Sequence, residues 1–236
     1  LGSTPLLVNV TFYSNTADMS AGYNGGDGGA IYNYDPSKYT MTNVTFSGNR
    51  AVGYDVGHPA HGGAMYTASG GATARNAIFW GNTPDQAYSD SSTVTIDSSV
   101  VQGGCPAGST CSGIITADPL LGAPGNYGGY VHTVALLPGS SAIDAADDAW
   151  IPATDARGVT RPQGPHGDIG AFESSRFTLA ITGGNNQSTP INTAFAQRLQ
   201  VSVAANNPAE PVNGGKVAFT PPASGASAIL ATSPAI

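Results

Sequence analysis

Apolar and polar residues alternate along this chain in short bursts, and the bursts recur. Three of them share one phrase: Asn9-Val10-Thr11-Phe12-Tyr13-Ser14-Asn15, Asn43-Val44-Thr45-Phe46-Ser47-Gly48-Asn49 and Asn76-Ala77-Ile78-Phe79-Trp80-Gly81-Asn82. Gly28-Gly29-Ala30-Ile31-Tyr32 returns as Gly62-Gly63-Ala64-Met65-Tyr66, at the spacing that separates the first two copies of the phrase. The period is about 33–34 positions, and a fixed period of this size predicts supersecondary units stacked one on the next. Val, Ile, Thr, Phe and Tyr fill the bursts, while Gly, Asn, Asp and Ser punctuate them, so the units are strands. No helical period of useful length occurs before Gly170.

Each unit predicts a strand over 29–33, a turn, a longer strand over 39–46, a Gly-Asn corner and a variable loop. Residues 50–61 form the largest insertion between the first coils. Thr93 to Gln102 keeps the alternation without the full phrase, and Ile114-Ile115, Leu120-Leu121 and Val131 to Leu137 continue it weakly, which extends the stack to about residue 130. A parallel solenoid accounts for this pattern, with coils about 4.8 Å apart. Equal residues then lie above one another. Val44, Phe46, Ile78 and Phe79 are expected inside, and Asn15, Asn49 and Asn82 in a ladder at one corner, bonding to one another and to corner backbone groups.

On these motifs the chain resembles two kinds of repeat. The pairing of Gly-Gly-Ala-Ile with Asn-Val-Thr-Phe-Ser-Gly-Asn is similar to the repeats of bacterial polymorphic outer-membrane proteins, which implies a right-handed parallel β-helix. A further series runs Asp118-Pro119-Leu120-Leu121-Gly122, Asn126-Tyr127-Gly128-Gly129, Leu137-Pro138-Gly139-Ser140-Ser141-Ala142-Ile143-Asp144, Asp155-Ala156-Arg157-Gly158 and Gly167-Asp168-Ile169-Gly170-Ala171-Phe172-Glu173. It resembles the C-terminal signature of choice-of-anchor Q β-helix domains of bacterial surface and secreted proteins. The two resemblances cover about residues 6–174.

After Glu173 the pattern changes. Phe177, Leu179 and Ile181 alternate with polar or small residues, as do Leu199, Val201 and Val203, then Val217 and Phe219, with Asn-rich turns between. This predicts an antiparallel sandwich and resembles the first part of an invasin-type Ig-like module. Such a sandwich needs roughly 100 residues. The expected fold is therefore all-β: a right-handed parallel β-helix over 1–174 and an incomplete Ig-like β-sandwich over 175–236.

Composition narrows the function. The net charge is −7, with Lys38 and Lys216 the only lysines, so the clustered cations that hold nucleic acid or anionic lipid are missing. No apolar run reaches the roughly 18 residues that a membrane helix needs, which argues against a membrane span in this chain. Leu1 opens almost inside a repeat, an expectation of a fragment or a matured product. Cys105 and Cys111 flank a Gly/Pro loop, which favours a local disulfide and an oxidising, extracellular setting over two free thiols.

Candidate chemistry is sparse. Asp144, Asp147, Asp148, Asp155 and Asp168 could form a carbohydrate-cleaving pair or a Ca²⁺ site. The preferred reading is structural: Asp155 and Asp168 brace turns, Arg157 pairs with one of them, and Asp144 caps a corner. His58 and His61 lie three apart in a loop but lack further ligands for a metal, and His166 reads as a turn residue. Asn9, Asn43 and Asn186 open glycosylation-like triplets, the first two expected inside strands. Tyr13, Tyr23, Tyr32, Tyr34, Tyr39, Tyr54 and Tyr66 serve equally well as a packing ladder or as a binding platform.

These observations lead to the expectation of a non-catalytic extracellular or cell-surface rod for adhesion or assembly. No cofactor or metal is expected, and the residues singled out, Asn15, Asn49, Asn82, Cys105, Cys111, Asp155, Arg157 and Asp168, are structural. Expected partners are other copies of the chain, the rest of its precursor, or a host-surface or polysaccharide ligand. Two alternatives stand beside it. One is a filament subunit with head-to-tail contacts between residues 1–12 and 195–236. The other is a pectin-lyase-like carbohydrate-active enzyme, for which basic residues are scarce.

Overall fold

A computed structural model describes residues 4–19, 26–34, 38–55 and 57–224. All their regular structure is strand. A first coil carries β1 (Leu6–Val8), β2 (Thr11–Tyr13), β3 (Thr16–Asp18) and β4 (Ile31–Asn33). A second carries β5 (Lys38–Thr42), β6 (Thr45–Ser47), β7 (Arg50–Val52) and β8 (Met65–Thr67). A third carries β9 (Gly71–Arg75), β10 (Ile78–Trp80) and β11 (Ala87–Ser89). β12 (Thr93–Asp97) and β13 (Val100–Val101) make the fourth, and β14 (Ser109–Ser112) opens a fifth.

The coils pair in parallel and in strict register. β1-β5-β9-β12-β14, β2-β6-β10-β13, β4-β8-β11 and β3-β7 form four sheets along one stack, the arrangement of a parallel β-helix. Phe12 pairs with Phe46, Phe46 with Phe79 and Phe79 with Val101. The step from Phe79 to Val101 is much the shortest of the three, so the two longer steps of the sequence period contain insertions. In the second coil that insertion starts after Val52, since Arg50–Val52 is strand β7 paired with β3 rather than loop.

The stack is held by what repeats. Tyr39 and Met41, Ala72 and Ala74, and Val94 and Ile96 point inward from their strands and are buried. Phe12, Phe46 and Phe79 stack face to face at 5.0 and 4.9 Å. The Gly-Gly pairs mark where neighbouring coils touch: a Cβ on Gly63 would lie 2.4 Å from the backbone of Thr83. At one corner the Asn15 amide donates to Asn49 Oδ1 at 2.8 Å, and the Asn49 amide donates to Asn82 Oδ1 at 2.8 Å and to the Phe12 carbonyl at 3.0 Å. Asn82 in turn donates to Gln86 at 2.7 Å, which closes the ladder. Replacing Asn49 by Ala strands the Asn15 N–H and removes the second donor on the Phe12 carbonyl. We expect a loss of about 1–3 kcal/mol of stability, read from the midpoint of urea unfolding.

The predicted long strand 39–46 is broken. Asn43 adopts φ 52°, as Asn9 and Asn76 do at φ 56° and 50°, so these asparagines are corners between strands and not strand interiors. Each corner resets which side chains face inward. Ile78 accordingly pairs with Thr45 on the outer face, not inside, and belongs to a second core with Val100, Leu136, Ile169 and Phe172. The parallel stacking ends near Ile115, which bridges Val100. The segment at 131–137 contributes β16 (Thr133–Leu136), antiparallel to β15 (Leu121–Gly125), instead of another coil.

The chain from Pro138 to Arg176 then runs back as a strap over the outer face of β6 and β10. The corner asparagines fasten it. Asn9 donates to the Thr154 carbonyl at 2.7 Å, Asn43 to the carbonyls of Asp168 and Gly170 at 2.9 and 3.1 Å, and Asn76 to that of Asp147 at 3.0 Å. Beyond it, β17 (Phe177–Gly183) and β18 (Gln200–Ala205) form a two-stranded antiparallel sheet. Val217 and Phe219 lie in irregular chain, so the described residues past Glu173 form one sheet and no facing second one. Residues 1–3 and 225–236, part of the expected end contacts, and Tyr23 lie outside the described residues.

Candidate ligand-binding face

Three of the four stacked sheets are covered or carry mixed polar groups outward; the sheet β4-β8-β11 carries aromatic rings. Its middle residues are Tyr32, Tyr66 and Tyr88, in direct register down three coils. Because alternate strand residues face opposite ways, Ile31 and Met65 point into the core and the tyrosines point out. Rings of Tyr32 and Tyr66 stack at 5.3 Å, and those of Tyr66 and Tyr88 at 5.5 Å. Tyr34 joins Tyr32 at 6.5 Å, and His61 lies on Tyr88 at 4.1 Å. Tyr32 is 52% and Tyr34 74% exposed. Of the other tyrosines, Tyr39 is buried inside the stack.

The ring faces in this ladder cover one another. What it offers outward is a row of ring edges tipped with hydroxyls. Partial burial pushes the Tyr66 hydroxyl above its ordinary pKa, and the charges of Asp90 and Asp27 push the same way. That hydroxyl is therefore neutral and hydrogen-bonding at physiological pH. Such a surface has a large contact area with little side-chain freedom to lose, which suits recognition of another surface.

At the last ring the ladder opens into a groove of about 400 Å³ between Tyr88 and the loop closed by the Cys105–Cys111 disulfide. The bridge spans 5.9 Å between Cα atoms, and Cys111 packs against the inner core above Ile96. Asp85 Oδ1 accepts the Gly62 N–H at 2.5 Å, and its Oδ2 lies 3.5 Å from His61 Nδ1. His58 instead pairs with Asp55 at 2.9 Å, so the two histidines serve different carboxylates. Among the described residues no three His, Cys, Asp or Glu side chains converge as a metal site.

The strap gathers the other residues singled out from sequence. Arg157 contacts Asp155 at 2.9 Å and Glu210 at 3.2 Å, with all three side chains buried, and its guanidinium lies 3.6 Å over the Phe172 ring. Arg161 pairs with Glu173 at 2.7 Å. Asp168 accepts the N–H groups of Asp144 and Ser174 at 2.8 and 2.6 Å. Burial, with the nearby Glu173 charge, pushes the Asp168 carboxyl up to about 7, and burial raises Glu173 as well. The other acids go elsewhere: Asp144 to Arg176 at 2.9 Å, Asp147 to the Ala149 N–H at 3.0 Å, and Asp148 to His166 at 2.7 Å. The backbone N–H of Gly167, then His166, holds Asp148 below its ordinary pKa. His132 is exposed. The five aspartates thus serve five different sets of partners. Sequence reasoning missed Arg161, Glu173 and Glu210; they are joined only by folding, and no repeat marks them.

Residues 9–34 match the Chlamydia polymorphic membrane protein (Chlamydia_PMP) repeat. The matched stretch runs from the first Asn-Val-Thr-Phe phrase through Gly28-Gly29-Ala30-Ile31-Tyr32 to the end of the tyrosine row's first coil. No curated protein and no solved structure matches the chain. The match and the parallel sheets together describe an all-β repeat protein with a stretch, residues 9–34, similar to the polymorphic membrane protein repeat.

Proposed function

We propose that this chain is the rigid, non-catalytic rod of a bacterial cell-surface or secreted adhesin, and that the tyrosine ladder of β4-β8-β11 is its binding face. The observation that carries the reading is the in-register, outward placement of Tyr32, Tyr66 and Tyr88. Packing needs alone do not require an aromatic at the same outward site of three successive coils. The repeat match supports a surface setting, since it is named for membrane proteins. In this reading the stack is a right-handed β-helix, and the 177–205 hairpin begins an Ig-like module. Its apolar face, with Leu179 opposite Val203 and Ile181 opposite Val201, is then covered by further strands. The ligand is a host surface or a polysaccharide.

Beads coated with the chain should adhere to epithelial monolayers. The double variant Tyr32→Ser/Tyr66→Ser should reduce adhesion at least about tenfold, as loss of aromatic anchors does at interfaces. An unchanged far-UV spectrum would show that the stack persists. Equal adhesion by the variant would sink the assignment of the face. Ca²⁺-dependent cleavage of pectate by the purified chain would favour the enzyme, and concentration-dependent filaments under the electron microscope would favour the filament subunit.

A further inference from the structure

We infer that the groove between Tyr88 and the disulfide loop is a subsite for a single neutral sugar ring, the terminal unit of a surface glycan. The inference rests on the adhesive reading and names its ligand class. β11 is the last strand of its sheet among the described residues, so no further tyrosine continues the ladder beyond Tyr88. The groove begins at that end, and its volume of about 400 Å³ is in the range that holds one or two small rings.

Its polar groups are fixed and partly free. Gln102 Oε1 accepts the Gly81 N–H at 2.7 Å and the Gln86 amide at 3.3 Å. This holds the Gln102 side chain and leaves its amide N–H groups unengaged among the described residues. The Tyr88 hydroxyl and His61 Nε2 also have no hydrogen-bond partner there. Asp85 Oδ2 accepts only the long contact from His61. The groove therefore presents a donor amide, a hydroxyl that donates and accepts, an imidazole nitrogen and a carboxylate oxygen around one aromatic ring.

The charge pattern selects among ligands. Among the described residues Asp85 is the only acid that lines the groove, and it already meets the Gly62 N–H and the His61 ring, so no strong field calls for a cation. Among the described residues no Lys or Arg lines it, so an anion finds no counter-charge. A small ring with several hydroxyls and one apolar face meets both halves of the site: hydroxyls against Gln102, His61 and Asp85, C–H groups against the Tyr88 ring edge and the Pro84 and Pro106 rings. The disulfide holds the opposite wall in place.

The test uses the intact chain with four probes: the methyl glycosides of β-galactose, β-glucose, α-mannose and N-acetyl-β-glucosamine. Saturation-transfer NMR should label at least one. Tyr88→Ala and Gln102→Glu should each weaken that probe about tenfold or more while the far-UV spectrum stays unchanged. Tyr130→Ser, an exposed tyrosine outside both the ladder and the groove, should leave probe binding intact. Saturation of none of the four, or probe binding indifferent to both groove variants, overturns the inference. Adhesion that survives without sugar binding would overturn this inference and leave the adhesive face standing. Sugar binding by a chain that does not adhere to cells would uphold the subsite and overturn the adhesive reading.

Discussion

Replacing Arg157 with Ala will lower the unfolding free energy by about 3–5 kcal/mol, because it leaves two buried carboxylates facing each other without their cation. The side chains of Arg157, Asp155 and Glu210 are all fully buried. Arg157 also donates to the carbonyls of Tyr127 and Glu173 and covers Phe172. Glu210 comes from beyond β18 and accepts the Ser175 N–H at 3.0 Å. The variant should therefore loosen the strap and the C-terminal hairpin together. Urea unfolding followed by Trp80 and Trp150 fluorescence measures the first effect. Faster proteolysis between residues 206 and 217 measures the second. The triple variant Arg157→Met/Asp155→Asn/Glu210→Gln, which removes the charges along with their partner, should recover part of the loss. A loss under about 1 kcal/mol for Arg157→Ala would mean that the guanidinium is not the tie between the two regions.

Much of the solenoid was legible because identity at equal spacing means contact in a stack. Asn15, Asn49 and Asn82 could be laid over one another from their spacing alone, and so could Phe12, Phe46 and Phe79. Coil length was not legible. The first two coils carry insertions, so the period of the phrase exceeds the length of the third coil, which leads from Phe79 to Val101. Facing was half legible. Alternation places Val44 and Phe46 inside, but the left-handed corner at Asn76 restarts the count and turns Ile78 outward. An apolar residue there makes sense only with the strap above it, and the strap's Ile169 and Phe172 lie far along the chain from Ile78.

The corner asparagines show the same limit. Their left-handed backbone was hidden by neighbours that read as good strand formers. Asn tolerates that conformation because its short side chain finds a local or nearby partner. Here the partners are strap carbonyls 125 and 145 residues away for Asn43 and Asn9. A residue of the repeat phrase thus does two jobs: it turns the chain between strands and fastens the segment that seals the outer core. From sequence, Asp155 and Asp168 read as residues that brace turns, with Arg157 as the partner of one of them. Their joint role with Arg161, Glu173 and Glu210 depends on contacts no spacing reveals.

The strap's hold should weaken as pH rises from about 4 to about 7. Asp168 ionises near 3.8 when unfolded and near 7 in place, so between these values the unfolded chain has released a proton that the folded chain keeps. Over that window each pH unit removes up to about 1.4 kcal/mol, with a total of at most about 4 kcal/mol from this group. Below the window both states hold the proton and the stabilisation is complete; above it both are ionised and the curve is flat. Glu173, raised by its burial, acts with the same sign. Asp55 and Asp148 are held below their ordinary values and act with the opposite sign, but they lose their contribution only in more acidic solution, outside this window. Urea midpoints at pH 4.5, 5.5, 6.5 and 7.5 should therefore fall in order. Asp168→Asn should flatten most of that slope whatever its absolute cost, because an amide has no proton to release. A midpoint that climbs across the same range would show that the Asp168 carboxyl is ionised in the folded protein, with Arg161 and the two backbone N–H groups outweighing burial.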